Sequence, residues 1–239
     1  ECDGIQFQAS TGDLVGVIGS NGIGKSTFLR TLAGLHPPLS GKVILDTREL
    51  SDISTKELSQ QISVVLTDPI ATKNLTVREL ISLGRQPYTN WLGTLSSSDL
   101  DQMDRVISML QLGDIQDRTC YELSDGQLQR VMIGRALAQD TAVIILDEPT
   151  MHLDLVHKVQ VLKLLRSIAK EMQKLIVFST HEINLALQLC SKLLVMSEKG
   201  TAYGSPDSLI QKGALQQLFP QKEVYFDPKS KSFTFEAEP

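Results

Sequence analysis

Residues 19–26 read GSNGIGKS, a glycine-rich turn that closes on Lys and Ser and fits G-x-x-x-x-G-K-[ST]. Its glycines allow backbone amides to turn inward around phosphate oxygens. Lys25 is then the cation for the β- and γ-phosphates of a nucleotide, and Ser26 a hydroxyl ligand for Mg²⁺. AVIILDE (142–148) is an apolar run closing on two carboxylates. Asp147 suits Mg²⁺. Glu148, expected to point elsewhere because side chains alternate along a strand, can polarise an attacking water. LIVFSTHE (175–182) brings His181 to the end of another apolar run. That is the sheet edge where parallel strands bind ligands, so His181 can sense a γ-phosphate. LSDGQ (123–127) precedes the helix-like LQRVMIGRALAQ. Ser124 and Gln127 stand three apart as in a capping box, and a helix start of this kind is also an anion site. Each stretch has a plainer reading: Asp-Glu-Pro ends a strand, a lone His at a strand end is structural, and S-x-x-Q caps a helix. The P-loop beside them favours chemistry.

The elements that must position these residues alternate. Strand-like runs are LVGVIG (14–19), GKVILD (41–46), ISVVL (62–66), AVIILDE, LIVFST (175–180) and LLVMS (193–197). Several are apolar throughout, as in strands covered on both faces. Lys25–Ala33 reads as a helix with Gly34 at its C′ position. Leu155–Met172 reads as another, with a core-facing stripe at Leu155, Val159, Leu162, Leu165 and Ala169. The pattern predicts an α/β fold: a P-loop ATPase core with a mainly parallel sheet. From 72 to 139 no strand-like run occurs. A capping box at TVRE (76–79) opens a helix toward Gly84, Ser98–Gln111 is helical with Gly113 beyond its end, and Leu128–Gln139 is helical. The expected organisation is one domain over 1–239. Its α/β core spans 1–71 and 140–204, an inserted helical subdomain 72–139, and a small C-terminal appendage 205–239.

The 239 residues suffice for a substantial core, and 21% charged residues with a net charge of −5 disfavour a nucleic-acid binder. Three dispersed cysteines (Cys2, Cys120, Cys190) without C-x-x-C spacing point to a reducing compartment. No apolar run reaches the ~20 residues needed to span a bilayer, so any spanning part must come from a partner.

Four motifs now stand in order, GSNGIGKST, LSDGQ, ILDEP and STHE, and together the chain resembles the nucleotide-binding subunit of an ABC transporter over essentially its whole length. In that family two subunits face head to tail, each ATP lying between one P-loop and the other signature motif. The resemblance implies that Ser20, Asn21, Gly22, Gly24, Lys25, Ser26 and Thr27 cradle the phosphates. It implies Mg²⁺ at Ser26, Asp147 and Thr67, and Glu148, His181 and Lys25 as catalytic groups. Ser124, Gly126 and Gln127 would meet the γ-phosphate of ATP held by a second copy, with Asp154 (in EPTMHLD) at the seam. It further implies an ATP-bound homodimer and integral membrane permease subunits, with a periplasmic or lipoprotein substrate-binding protein as an indirect partner. No nucleic acid is implied, and the place is peripheral, on the cytoplasmic face of a bacterial inner membrane. LTVRELISLGRQPY (75–88), THEINLAL (180–187) and YGSPDSLI (203–210) resemble the iron–siderophore, haem and cobalamin importers. The region from Pro87 to Leu95, with Trp91, is the expected permease contact, packing being the competing role for Trp91.

Three departures from the family pattern stand out. Asp125 replaces the first Gly of L-S-G-G-Q, and a carboxylate near a phosphate is unfavourable; it must point away, pair with a cation or weaken the closed dimer. Thr67 stands where the family has its Q-loop glutamine, leaving coupling to water or to Asp68. The chain also starts at ECDGIQF, downstream of the family's adenine-stacking aromatic. The expectation is a shortened N-terminus and weaker ATP binding than with the upstream residues. A soluble ABC-type ATPase, a P-loop small-molecule kinase and a degenerate nucleotide-binding subunit stay open as alternatives.

Overall fold

In the computed structural model, residues 4–67, 74–218, 224–227 and 230–235 are described. In chain order the strands are β1 (Leu14–Gly19), β2 (Ile44–Leu45), β3 (Arg48–Glu49), β4 (Ile62–Val65), β5 (Val143–Leu146), β6 (Leu175–Ser179), β7 (Lys192–Ser197), β8 (Gly200–Gly204), β9 (Val224–Asp227) and β10 (Ser232–Phe235). The helices are α1 (Lys25–Leu32), α2 (Thr55–Ser59), α3 (Val77–Ser82), α4 (Ser97–Met109), α5 (Asp125–Ala138), α6 (Leu155–Glu171), α7 (Ile183–Leu189) and α8 (Pro206–Gln211).

Six strands form one sheet in the order β4-β5-β6-β1-β7-β8. All neighbours are parallel except β7 and β8. β1 is buried at every position because both of its faces are covered. Leu14 and Ile18 join the core that includes Leu162 and Leu165 of α6, whereas Val15 and Val17 pack with Leu29 of α1. This two-sided burial explains why the central runs lack polar alternation.

Between β4 and β5 the described residues form α3, a 3-10 segment (Leu83–Tyr88), α4 and α5. Thr76 caps α3 in a full capping box, as the TVRE spacing predicts. Arg85 ties this region together. Its Nε donates to Asp99 Oδ1 at 2.7 Å and another guanidinium nitrogen to Ala138 O at 2.7 Å. The guanidinium also sits 4.0 Å over the Tyr88 ring. Gln139 Nε2 then reaches back to the carbonyls of Ser59 and Ile62 beside β4.

Several expectations change. The 41–46 run yields only the two-residue β2, which pairs antiparallel with β3 in a separate hairpin. Asp46, at φ 55, turns the chain straight back. The α6 stripe begins at Val161, not Leu155, which is 66% exposed. Past α4 the left-handed position is taken by Gln111 at φ 54, while Gly113 opens a short 3-10 turn. β8 and the β9–β10 hairpin were not anticipated. Gly34, at φ 72 just past Ala33, holds the expected C′ position. Trp91 is 91% exposed beside the exposed Leu92, which removes a core role for it.

Candidate nucleotide site

β1 ends at Gly19, where an added Cβ would lie 2.5 Å from Met196 O of the neighbouring strand. The loop then turns through Gly22 (φ 76) and Gly24 (φ 104), conformations that a side chain would strain. Gly24 is the N-cap of α1 and no side chain caps it. The first-turn amides of α1 therefore stay available, and the helix dipole adds positive potential there. Lys25 is buried, its Nζ donating to Gly19 O at 2.9 Å and Ser20 O at 3.2 Å. Burial pushes its pKa down, opposed by the charges of Glu148 and Asp147.

A cleft of about 660 Å³ opens over this loop. Asn21, Gly22, Gly24, Lys25, Ser26, Thr27, Thr67, Asp147, Glu148 and His181 all line it. Segments far apart in the chain thus converge, Ser26 and Asp147 being 121 positions apart, because β1, β5 and β6 run parallel and end at one edge. Asp147 is 3% exposed and ringed by hydroxyls. It accepts from Ser26 Oγ at 3.0 Å, Ser179 Oγ at 2.6 Å and Thr67 Oγ1 at 3.4 Å. This is a hard, all-oxygen donor set. One carboxylate plus hydroxyls suits Mg²⁺, which shares its coordination with substrate phosphates and water and needs no cage of protein ligands.

Glu148 departs from expectation. β5 ends at Leu146, so Asp147 and Glu148 lie beyond the strand, and Glu148 adopts φ 50. That left-handed turn, not strand alternation, aims it, and both carboxylates face the same cleft. His181 Nε2 lies 2.8 Å from Glu148 Oε1. Burial raises the Glu148 pKa, with Lys25 opposing and Asp147 reinforcing, and burial and then Lys25 lower that of His181. An isolated ion pair would shift both the other way; here burial outweighs the pairing. The contact is that of a neutral imidazole donating to the carboxylate.

The signature residues sit apart from this group. Ser124 Oγ accepts from Gln127 N at 3.3 Å and Gln127 Oε1 from Ser124 N at 3.0 Å, the full capping box of α5. Ser124, Gly126 and Gln127 do not line the cleft, but Asp125 does. Among the described residues no ion pair neutralises it. Gly126 is buried against the His157 ring, 3.0 Å from where its Cβ would be. Asp154 is exposed and caps α6, its carboxylate holding His157 Nδ1 at 2.8 Å. Asp68 lies outside the described residues.

Sequence reasoning missed Ser179 and Gln129. Ser179 stands in the STHE stretch, but only strand register reveals its partner. Gln129 lines the cleft with a buried Nε2 that has no hydrogen-bond partner among the described residues. Its position two residues past the signature gave no signal.

The family model for ABC transporters matches residues 2–151. The chain is 37% identical over 228 residues to the siderophore transport system ATP-binding protein YusV of Bacillus subtilis, covering 95% of this chain and 83% of that one. It is 34% identical to the petrobactin import ATP-binding protein FpuD of Bacillus anthracis, covering 95% and 84%. Its fold superposes with a TM-score of 0.80 on a chain of an inward-facing transporter described as of metal-chelate type, at 28% identity, covering 96% and 87%. A dimeric bacterial ABC transporter cassette follows at TM-score 0.71 and 26% identity, covering 84% and 88%. The chain belongs to the ABC transporter family as an ATP-binding subunit, an ATPase whose hydrolysis is coupled to transport.

Proposed function

We propose that this chain powers an importer of an iron–siderophore or related metal chelate. The observation that carries the chemistry is the convergence of Lys25, Asp147, Glu148 and His181 on the uncapped start of α1. The cargo class rests on relatives named for siderophore transport and petrobactin import and on a structure described as metal-chelate type.

In this reading the amides of Asn21, Gly22, Gly24 and Thr27, with Ser20, wrap the phosphates. Lys25 leaves the Gly19 and Ser20 carbonyls for the β- and γ-phosphates. Asp147, Ser26 and Thr67 hold Mg²⁺, which when bound offsets phosphate charge. Glu148 accepts a proton from the water whose oxygen attacks the γ-phosphorus. The bond to the β-phosphate oxygen breaks and ADP leaves. A carboxylate held above its usual range is a better base near neutral pH. His181, neutral with a single N–H, donates it through Nε2 to Glu148 and would turn the same N–H to the γ-phosphate. Ser124, Gly126 and Gln127, with Asp154, serve ATP on a second copy. A solved cassette of this family is dimeric. The helical stretch 72–139 acts as a subdomain on the 1–71 and 140–204 core, with 205–239 appended. Among the described residues no helix is long and apolar enough to cross a membrane. Attachment is peripheral, at the cytoplasmic face of the inner membrane, through permease subunits that meet the exposed Trp91 region.

The test is ATP hydrolysis by the full chain with its permease. Glu148→Gln should abolish turnover yet leave ATP-driven dimerisation, whereas persistent turnover removes Glu148 as the base. Phosphate release without any acceptor substrate excludes a kinase, and its absence in the native protein favours a degenerate subunit.

A further inference from the structure

The hydroxyl of Ser179 touches two carboxylate-bearing residues of the cleft, Asp147 and Glu148. β5 and β6 pair in parallel with Leu146 opposite Phe178, so the next residues, Asp147 and Ser179, are neighbours across the sheet. Ser179 is fully buried. Its Oγ lies 2.6 Å from Asp147 Oδ1 and 2.9 Å from the backbone nitrogen of Glu148.

The direction of both bonds is forced. A hydroxyl has one hydrogen, and a backbone N–H can only donate. Glu148 N–H therefore fills a lone pair of Ser179 Oγ, and the single hydrogen goes to Asp147. The hydroxyl thereby fixes the orientation of the Asp147 carboxylate and the start of the left-handed turn that aims Glu148.

We propose that Ser179 is a positioning residue for hydrolysis, locking Asp147 and Glu148 in one geometry through a single hydroxyl. The rest of β6, Leu175–Phe178, is apolar and packs in the two cores. A Ser among them gives up apolar burial, and both of its bonds point into the catalytic edge. Displacements of about 1 Å at such a site can cost on the order of 100-fold in rate. This inference rests on the roles proposed above for Asp147 and Glu148.

The test compares Ser179→Ala, Ser179→Thr and Ser179→Cys in the full chain with its permease. Thr keeps the hydroxyl, whereas Cys keeps a polar atom that donates weakly. For Ser179→Ala the expected result is a kcat about tenfold lower, equal to about 1.4 kcal/mol in the barrier. ATP affinity measured in EDTA should stay within about twofold, because the P-loop is untouched, while the Mg²⁺ concentration for half-maximal rate rises. Ser179→Thr should recover most of the rate, and Ser179→Cys should not. If the buried methyl of Thr prevents folding, the Ala–Cys pair still decides, since both should lose rate with ATP affinity retained. A kcat within about twofold of wild type in Ser179→Ala overturns the proposal. So does a loss of rate that follows melting temperature equally in all three variants. Glu148→Gln run alongside keeps the two readings separate. Turnover in that variant removes the general base but not the Ser179 result.

Discussion

Glu148 carries two burdens that its environment sets against each other. In the role proposed for it, it must ionise to act as a base, and burial resists ionisation, with Lys25 giving partial relief. The consequence for stability has a definite sign. Below about pH 4.5, its ordinary value, native and unfolded chains both hold the proton. As pH rises toward the higher native pKa, the unfolded chain ionises first and the native state loses stability. Glu148→Gln abolishes that cost. Its melting temperature should match wild type near pH 4, then exceed it by a margin that grows through the raised pKa and levels off. An equal margin at every pH would assign the effect to something other than ionisation. Turnover of the wild type should correspondingly fade on acidification at a pH above the usual carboxylate range. The P-loop, both carboxylates and His181 were legible because residue type and short spacing define them. Ser179 was not, since its partners depend on the β5–β6 register. The direction of Glu148 was misread because β5 stops with its last apolar residue, Leu146, and a left-handed turn at Glu148 replaces strand alternation.

Among the described glycines, Gly84 makes the closest approach to a neighbouring backbone, where the Leu83–Tyr88 segment meets α5. At Gly84 a Cβ would stand 2.2 Å from Arg135 O and 3.1 Å from Gln139 N, both backbone atoms that cannot rotate aside. Gly84→Ala should therefore force the segment off α5 and destabilise the protein by about 1–3 kcal/mol or more, read by urea denaturation. A loss no larger than ordinary propensity, or a gain, would show that this junction gives way easily. Gly84 reads in sequence as a helix stop. Its packing role belongs to a crossing about 50 residues away and leaves no local trace. β2 failed as a long strand for a related reason. Asp46 turns the chain after only two paired residues, and a β-rich run cannot announce whether a sheet edge awaits it. β8–β10 are short and polar-flanked, so their pairing rests on neighbours that a linear pattern does not reveal.

Across the whole molecule, Asp125 at the start of α5 lines the cleft, and the apolar residues Met151, just before α6, and Leu155 and Val156, in its first turn, are exposed. If the second copy proposed above covers these residues, it would account for an exposed Leu155 that helical periodicity assigned to the core. In that closed pair Asp125 would oppose closure through its charge, while it favours its own helix. A carboxylate at the first position of α5 interacts well with the dipole, by about 0.3–1 kcal/mol. Asp125→Gly should thus lower the melting temperature while raising the ATP-driven dimer fraction in light scattering with the Glu148→Gln background. Unchanged dimerisation would mean the carboxylate is far from the γ-phosphate in the closed pair. Fold class, sheet edge and helical region were readable from the sequence at this scale because they follow from periodicity summed over many residues.

The seat of Gly126 on the His157 ring bears on how mutations of this motif must be interpreted. Any side chain at 126 pushes on a ring whose other side is tied to Asp154. A substitution meant to probe the proposed phosphate contact would therefore also displace the Asp154 carboxylate, proposed above to serve the second copy. In this chain an inactive Gly126 variant reports a two-site lesion, and only a smaller residue placed at 157 would separate its halves.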